Sequence, residues 1–180
     1  MRGLTNLEYL LLGLLHQKPA SGYALRKSFT STPLGHYSDS PGSIYPALNR
    51  LRRRNLVRPA KDQPANGRGT VLFSLTPKGL AELRSWLQRP VTLEEVRHGA
   101  EGVMLRFAFS AQVVGHAAAR RLALQLEAHS NAIVRDLESY LSGPGQSHPI
   151  TGRLALEQGL EGYRALARWG TRAGRELARS

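Results

Sequence analysis

Apolar residues recur at helical spacing through most of this 180-residue chain, and the pattern turns strand-like at one place, residues 56 to 75. That single switch limits the fold. The spacing predicts a helix over about 5–16, where Leu7, Leu11 and Leu14 fall at i, i+4 and i+7 and Leu10 and Leu15 widen the stripe. Lys18 and Pro19 end it. A second helix starts near Ser21 and carries Tyr23, Leu25 and Phe29 until Pro33. A third begins near Ser40-Pro41, an N-cap residue followed by a first-turn proline, with Ile44, Leu48 and Leu51 toward the core. Pro46 must lie close to its first turn, because proline has no backbone N–H to donate. Two β-prone runs follow, Leu56 to Arg58 and Thr70 to Leu75, joined by a loop from Pro59 to Gly69 rich in Pro, Gly, Asn and charge. Thr76-Pro77 then caps and starts a fourth helix, with Leu80, Leu83 and Leu87 on one face and Trp86 beside them.

Helix, helix, helix, hairpin, helix is the layout of a winged helix-turn-helix, expected over residues 1–90 with Pro90 as the boundary. Residues 91–180 read as helical throughout. One helix is expected over about 96–109, with Val96, Ala100, Val103 and Phe107 in phase. A long one is expected over about 111–141, its stripe of Leu122, Leu126, Ile133, Leu137 and Tyr140 interrupted by His129 and Ser130. After a loop from Ser142 to Pro149, a last helix runs over about 152–178 with Leu156, Leu160, Tyr163, Leu166 and Leu177 in line. The expected fold class is therefore mainly α: a winged helix-turn-helix domain, then a C-terminal helical domain for dimerisation or effector binding. Two long amphipathic helices joined by a short loop bury more surface against a copy of themselves, which is the physical case for a homodimer. An intrachain helical hairpin is the alternative.

The formal net charge is +12, and it is unevenly placed. Residues 1–90 hold 14 Lys/Arg against 4 Asp/Glu, whereas residues 91–180 hold 11 against 9. A basic module joined to a near-neutral one suits a polyanionic partner, nucleic acid before an anionic membrane. With no cysteine, thiol catalysis, disulfides and zinc–thiolate sites are excluded, and the six histidines form no i, i+4 metal pair. No metal or cofactor is expected. The longest apolar run, about Tyr9 to Leu15, is too short to span a bilayer, and Met1-Arg2-Gly3-Leu4 carries no cleavable signal pattern. The expected location is the cytoplasm. No nucleophile triad, phosphate-binding loop, dinucleotide glycine pattern or paired carboxylate points to an enzyme.

The third helix is the candidate reading head. Its core stripe leaves Ser43, Tyr45, Pro46, Asn49, Arg50 and Arg53 on the other faces. Asn can bond bidentately to adenine and Arg to guanine, and the arginines toward its end suit backbone phosphates. Ser40 and Ser43 near the helix start can meet an anion or simply cap. Arg68, between Gly67 and Gly69 in the hairpin loop, can enter a minor groove, and Lys78 is a phosphate candidate. Trp86, Tyr163 and Trp169 can line an aromatic effector pocket, although aromatics at such spacing are more often core. A small-molecule-binding or interaction protein on a winged scaffold, not acting on DNA, is the alternative function.

Four runs carry a family resemblance: Leu10 to Leu15, Gly22-Tyr23-Ala24-Leu25, Ser43 to Leu51, and Phe73 to Gly79. In order and spacing they resemble PadR-type regulators over most of residues 4–88, and residues 91–180 more loosely resemble the longer helical domain of the PadR and virulence-activator subgroup. The resemblance implies a homodimer on a roughly palindromic double-stranded operator, usually a repressor, with a small aromatic or hydrophobic effector in some members. It also implies that Tyr45 and the start of its helix lie close to DNA. Two positions depart from the family pattern: Phe73 stands for a tyrosine and Asn55 for a glycine.

Overall fold

The computed structural model describes residues 3–30, 41–60 and 71–179. The chain divides into two compact units, Met1–Trp86 and Leu87–Ser180. The first is a winged helix-turn-helix and the second is all helix, so the fold is mainly α with one small sheet.

Helix α1 (Asn6–Gln17) opens with a capping box: Thr5 Oγ1 accepts from the Glu8 N–H at 3.2 Å, and the Thr5 N–H donates to Glu8 Oε2 at 2.8 Å. Its buried set is broader than one stripe. Tyr9, Leu10, Leu11, Leu12 and Leu15 are all buried, while Leu7 and Leu14 are only half-buried. The helix packs against both the third helix and the sheet, so apolar residues are needed on more than one side.

A two-residue strand, β1 (Ala20–Ser21), precedes α2 (Gly22–Thr30). It is too short to show an alternating pattern, and Ser21 also does what the sequence suggested, its Oγ accepting from the Ala24 N–H at 3.1 Å. Within α2, Leu25 and Phe29 are buried, but Tyr23 is 67% exposed. The third helix starts later than its proline suggests. Pro41–Ser43 form a single 3-10 turn, and α3 covers Ile44–Arg53. Pro46 is thus its third residue, where an N–H would have had no intrahelical acceptor.

Strands β2 (Val57–Pro59) and β3 (Leu72–Leu75) follow, and the sheet order is β1-β3-β2, antiparallel throughout. Val57 pairs with Leu75, Pro59 with Phe73, and Ala20 with Phe73 on the other side. Phe73 is therefore in the central strand. Thr76 caps α4 (Pro77–Gln88), its Oγ1 accepting from the Gly79 N–H at 3.0 Å. A Cβ on Gly79 would sit 2.0 Å from the Leu56 carbonyl oxygen, so only glycine lets α4 come this close to the chain entering β2. Trp86 stacks on Tyr9, with centroids 4.2 Å apart and planes within 4°, and the Tyr9 hydroxyl donates to Glu82 at 2.8 Å.

In the second unit, the helix expected over 96–109 is two: α5 (Leu93–Arg97), with a Thr92–Glu95 capping box, and α6 (Glu101–Val114). The long helix likewise begins later, as α7 (His116–Ser142), because α6 runs on to Val114. Both breaks fall at glycines of positive φ, Gly99 (101°) and Gly115 (91°). With apolar residues on either side, periodicity alone could not place them. A 3-10 turn at Pro144–Ser147 leads into α8 (Ile150–Glu176). Helices α7 and α8 pair antiparallel within the chain, tied by Arg120 Nε to the Gly174 carbonyl (3.1 Å), Thr171 to Glu127 (2.8 Å) and Arg164 to Glu138 (2.6 Å).

The core of this unit joins Val91, Val96, Ala100, Val103, Leu122, Leu126 and Ile133, with Tyr163, Leu166 and Trp169 packed against it. The polar interruption of α7 has a use. Gln125 accepts from the Val91 N–H (3.0 Å) and His129 Nε2 meets the Val91 carbonyl (2.9 Å), so residues one turn apart hold both backbone groups of the entering chain. Arg106 completes the fixation. Only 2% exposed, it donates to the Arg89 carbonyl at 2.8 Å and to both oxygens of Glu95 at 3.0 Å. Burial pulls its guanidinium below the ordinary value, and Glu95 opposes that shift. Arg106→Leu removes the charge but leaves a buried carbonyl without a donor, so urea unfolding should show a loss of about 2–3 kcal/mol.

Candidate nucleic-acid interface

Helix α3 has a sharply divided surface. Ile44, Ala47, Leu48 and Leu51 are buried, while Tyr45, Pro46, Asn49, Arg50, Arg52 and Arg53 are exposed and Ser43 is half-buried before the first turn. Four of the expected DNA-contacting residues, Tyr45, Pro46, Asn49 and Arg53, thus share the outward side of one helix with Arg50. Ser40 and Arg68 lie outside the described residues.

Tyr45 is 50% exposed, and its ring rests on α2. A Cβ at Gly22 would come within 2.6 Å of Tyr45 Cε1, so the glycine makes the seat for the ring. Tyr23, the next residue of α2, is the most exposed large apolar side chain among the described residues. The sequence reading placed it with the apolar residues of its helix.

Arg50 is held rather than free. Its Nε donates to Glu8 Oε1 at 2.7 Å, and Glu8 is only 3% exposed. The carboxylate that closes the capping box of α1 therefore also fixes the middle of α3. The terminal nitrogens of Arg50 remain on the exposed side, its side chain being half exposed. Glu8 was missed from the sequence, although Thr5 and Glu8 stand at capping-box spacing.

The end of α3 is built as a Schellman motif. The Asn55 N–H reaches the Arg52 carbonyl at 2.9 Å, and the Leu56 N–H reaches the Leu51 carbonyl at 3.0 Å, with Leu51 and Leu56 both buried. Asn55 has φ of 57°, the left-handed region that glycine and then asparagine tolerate. The departure from the family's glycine thus keeps the same backbone. Lys78 Nζ donates to the Arg54 carbonyl at 3.2 Å, so this candidate phosphate ligand also covers the negative end of α3. Arg53, Arg54, Asn55 and Lys78 line one shallow hollow with Glu82.

The three aromatics named for an effector pocket have separate settings. Trp86 is stacked on Tyr9 in the first unit. In the second, Trp169 meets Phe107 edge-on at 4.8 Å, and the Tyr163 hydroxyl donates to the Arg97 carbonyl at 3.3 Å. Among the described residues no group of three His, Asp or Glu side chains is placed to hold a metal, and no helix is long and apolar enough to cross a membrane.

Two outcomes follow from these contacts. Glu8→Ala should cost about 2 kcal/mol in thermal or urea unfolding, since it removes half a capping box and the partner of Arg50. Asn55→Gly should stabilise by about 0.5–1 kcal/mol, whereas Asn55→Val should destabilise by at least as much, because a β-branched residue resists positive φ.

Comparison with known proteins gives a consistent picture. Residues 11–85 match the sequence profile of the transcriptional regulator PadR-like family, a family of regulators rather than enzymes. The transcriptional regulator YqjI of Escherichia coli (strain K12) is 28% identical over 105 residues, 58% of this chain and 49% of that protein. The chain thus spans about half the length of the curated relatives it matches. Among solved structures, Bacillus subtilis PadR in complex with operator DNA overlays at 23% identity and a TM-score of 0.42, covering 95% of this chain and 98% of the other. The Vibrio cholerae virulence activator AphA gives 22% identity and a TM-score of 0.42, covering 96% and 98%. Those overlays are loose, and the likeness that stands is the profile match: residues 11–85, nearly the whole of the first unit, are similar to the transcriptional regulator PadR-like family.

Proposed function

We propose that this chain is a sequence-specific, double-stranded-DNA-binding transcriptional regulator, acting in the cytoplasm as a homodimer on a roughly palindromic operator. Its action is repression relieved by a small aromatic or hydrophobic effector. The observation that carries the DNA reading is the outward face of α3. A helix anchored by four buried apolar residues presents Tyr45, Pro46 and Asn49 together with Arg50 and Arg53. Such a face is small enough for a major groove and holds both an amide and guanidinium groups for base edges. The match of residues 11–85 to the profile of a family of transcriptional regulators supports the same reading.

In this reading Asn49 contacts a base edge, and Arg50, oriented by Glu8, uses its free terminal nitrogens in the same groove. Arg53 and Lys78 approach phosphates, as do Ser40 and Ser43 at the start of the helix, and Arg68 acts from the wing. Pairing of two copies is supported by the exposed Ile150, Leu154 and Tyr140 near the turn between α7 and α8. Tyr163 and Trp169, on the core of the second unit, are the aromatic groups from which an effector site there would be built.

The test is selection of bound genomic fragments with the purified chain, followed by anisotropy on the recovered site and on an unrelated duplex. Asn49→Ala should weaken the recovered site by about 1–3 kcal/mol while leaving the unrelated duplex nearly unchanged. Equal affinity of Asn49→Ala and the parent for the recovered site would remove α3 as the reader. Sedimentation should find two chains per site, and candidate aromatic acids added to the bound complex should release it.

A further inference from the structure

Five arginines lie along one face of α8 and the turn after it. Arg164, Arg168, Arg172, Arg175 and Arg179 follow one another at steps of four, four, three and four residues. At about 100° per residue they stay within roughly 80° of the helix circumference. The chain treats the first differently from the rest. Arg164 is bonded to Glu138 and Glu161, both at 2.6 Å, and these carboxylates raise its guanidinium above the ordinary value. The other four are exposed, and among the described residues no carboxylate or hydrogen-bond acceptor meets any of their side chains. Glu176 lies in the same hollow as all four and pairs with none of them. Arg175 and Arg179 also border the adjoining hollow with Arg120 of α7.

Capping of the helix dipole does not account for this. The dipole acts over the last turn, and Arg168 stands two turns before the end of α8. Like charges at i, i+4 oppose the helix that carries them, yet the acidic partners supplied to Arg164 are not supplied here. The missing partner is a row of anions. Arginine rather than lysine at every position suits phosphate, which the planar fork binds through two parallel hydrogen bonds. From Arg168 to Arg179 the strip is about 16 Å long at 1.5 Å per residue, and it covers about five phosphates of one strand at 3.4 Å of axial rise each.

We propose that Arg168, Arg172, Arg175 and Arg179 form a backbone-gripping strip by which the second unit binds duplex DNA, independently of sequence and of α3. The inference rests on the reading of the first unit as a DNA binder, because that reading makes duplex DNA, rather than RNA or an acidic protein, the polyanion at hand.

The experiment compares full-length chains: the parent, Arg168→Gln/Arg172→Gln/Arg175→Gln/Arg179→Gln, the same four changed to Lys, and Arg164→Gln. Each is titrated onto a duplex of arbitrary sequence between 50 and 200 mM salt, with circular dichroism confirming helix content. Each phosphate contact contributes about 0.9 to the slope of log Kobs against log salt. The quadruple Gln chain should therefore lose two to four units of slope, and at low salt its affinity should fall at least tenfold. The Lys chain should keep most of the slope, and Arg164→Gln should match the parent. An unchanged slope in the Gln chain overturns the strip. If Asn49→Ala still loses the recovered operator in that case, the reading of α3 stands alone. A parent that binds no duplex at any salt overturns both. Preference for single-stranded RNA, lost only in the Gln chain, overturns duplex DNA as the occupant.

Discussion

The carboxylate of Glu8 links two helices that are distant in sequence. One oxygen closes the first turn of α1 and the other holds Arg50 in the middle of α3, and the carboxylate itself is buried. Helix α1 is the element around which the first unit is packed, so its first turn is a fixed reference point. Tying α3 to it sets the rotation of that helix about its own axis more firmly than apolar packing does, because leucine against leucine tolerates some sliding and a charge-assisted hydrogen bond does not. The Schellman end at Asn55 and the lysine cap from Lys78 then fix where α3 stops. The middle and the end of the outward face are thus each defined by polar contacts.

The second unit uses the same device on the chain that enters it. Arg106 gathers the Arg89 carbonyl and Glu95, and Gln125 and His129 satisfy Val91. These buried polar contacts turn the segment after α4 from a linker into part of the second core. Apolar burial supplies the bulk stabilisation there, and the polar groups decide the path of the backbone.

Much of this was legible in the sequence, and the limits have physical causes. The order of elements in the first unit followed from the single switch of period, and the core of α3 from Ile44, Leu48 and Leu51. Thr76-Pro77 marked the start of α4 to the residue. The sequence did not reveal β1, whose two residues are too few to show a period, or the breaks at Gly99 and Gly115, where apolar residues continue on both sides. Tyr23 was misplaced because aromatic residues satisfy an apolar pattern whether they face inward or out. Glu8 was overlooked because nothing in a linear pattern pairs residue 8 with residue 50. The outward face of α3 was readable; the contacts that orient it were not, since they are made across the fold.

The close approach of α4 to the chain entering β2 bears on how such proteins diverge. No side chain fits at Gly79, whatever its chemistry, because the obstacle is the backbone oxygen of Leu56. The position is closed to change by geometry alone, while Asn49 and Arg53 are exposed and can vary without disturbing the frame. A lineage built on this packing can therefore change what α3 presents by exchanging a few outward side chains, and its glycine will record common architecture rather than a common partner.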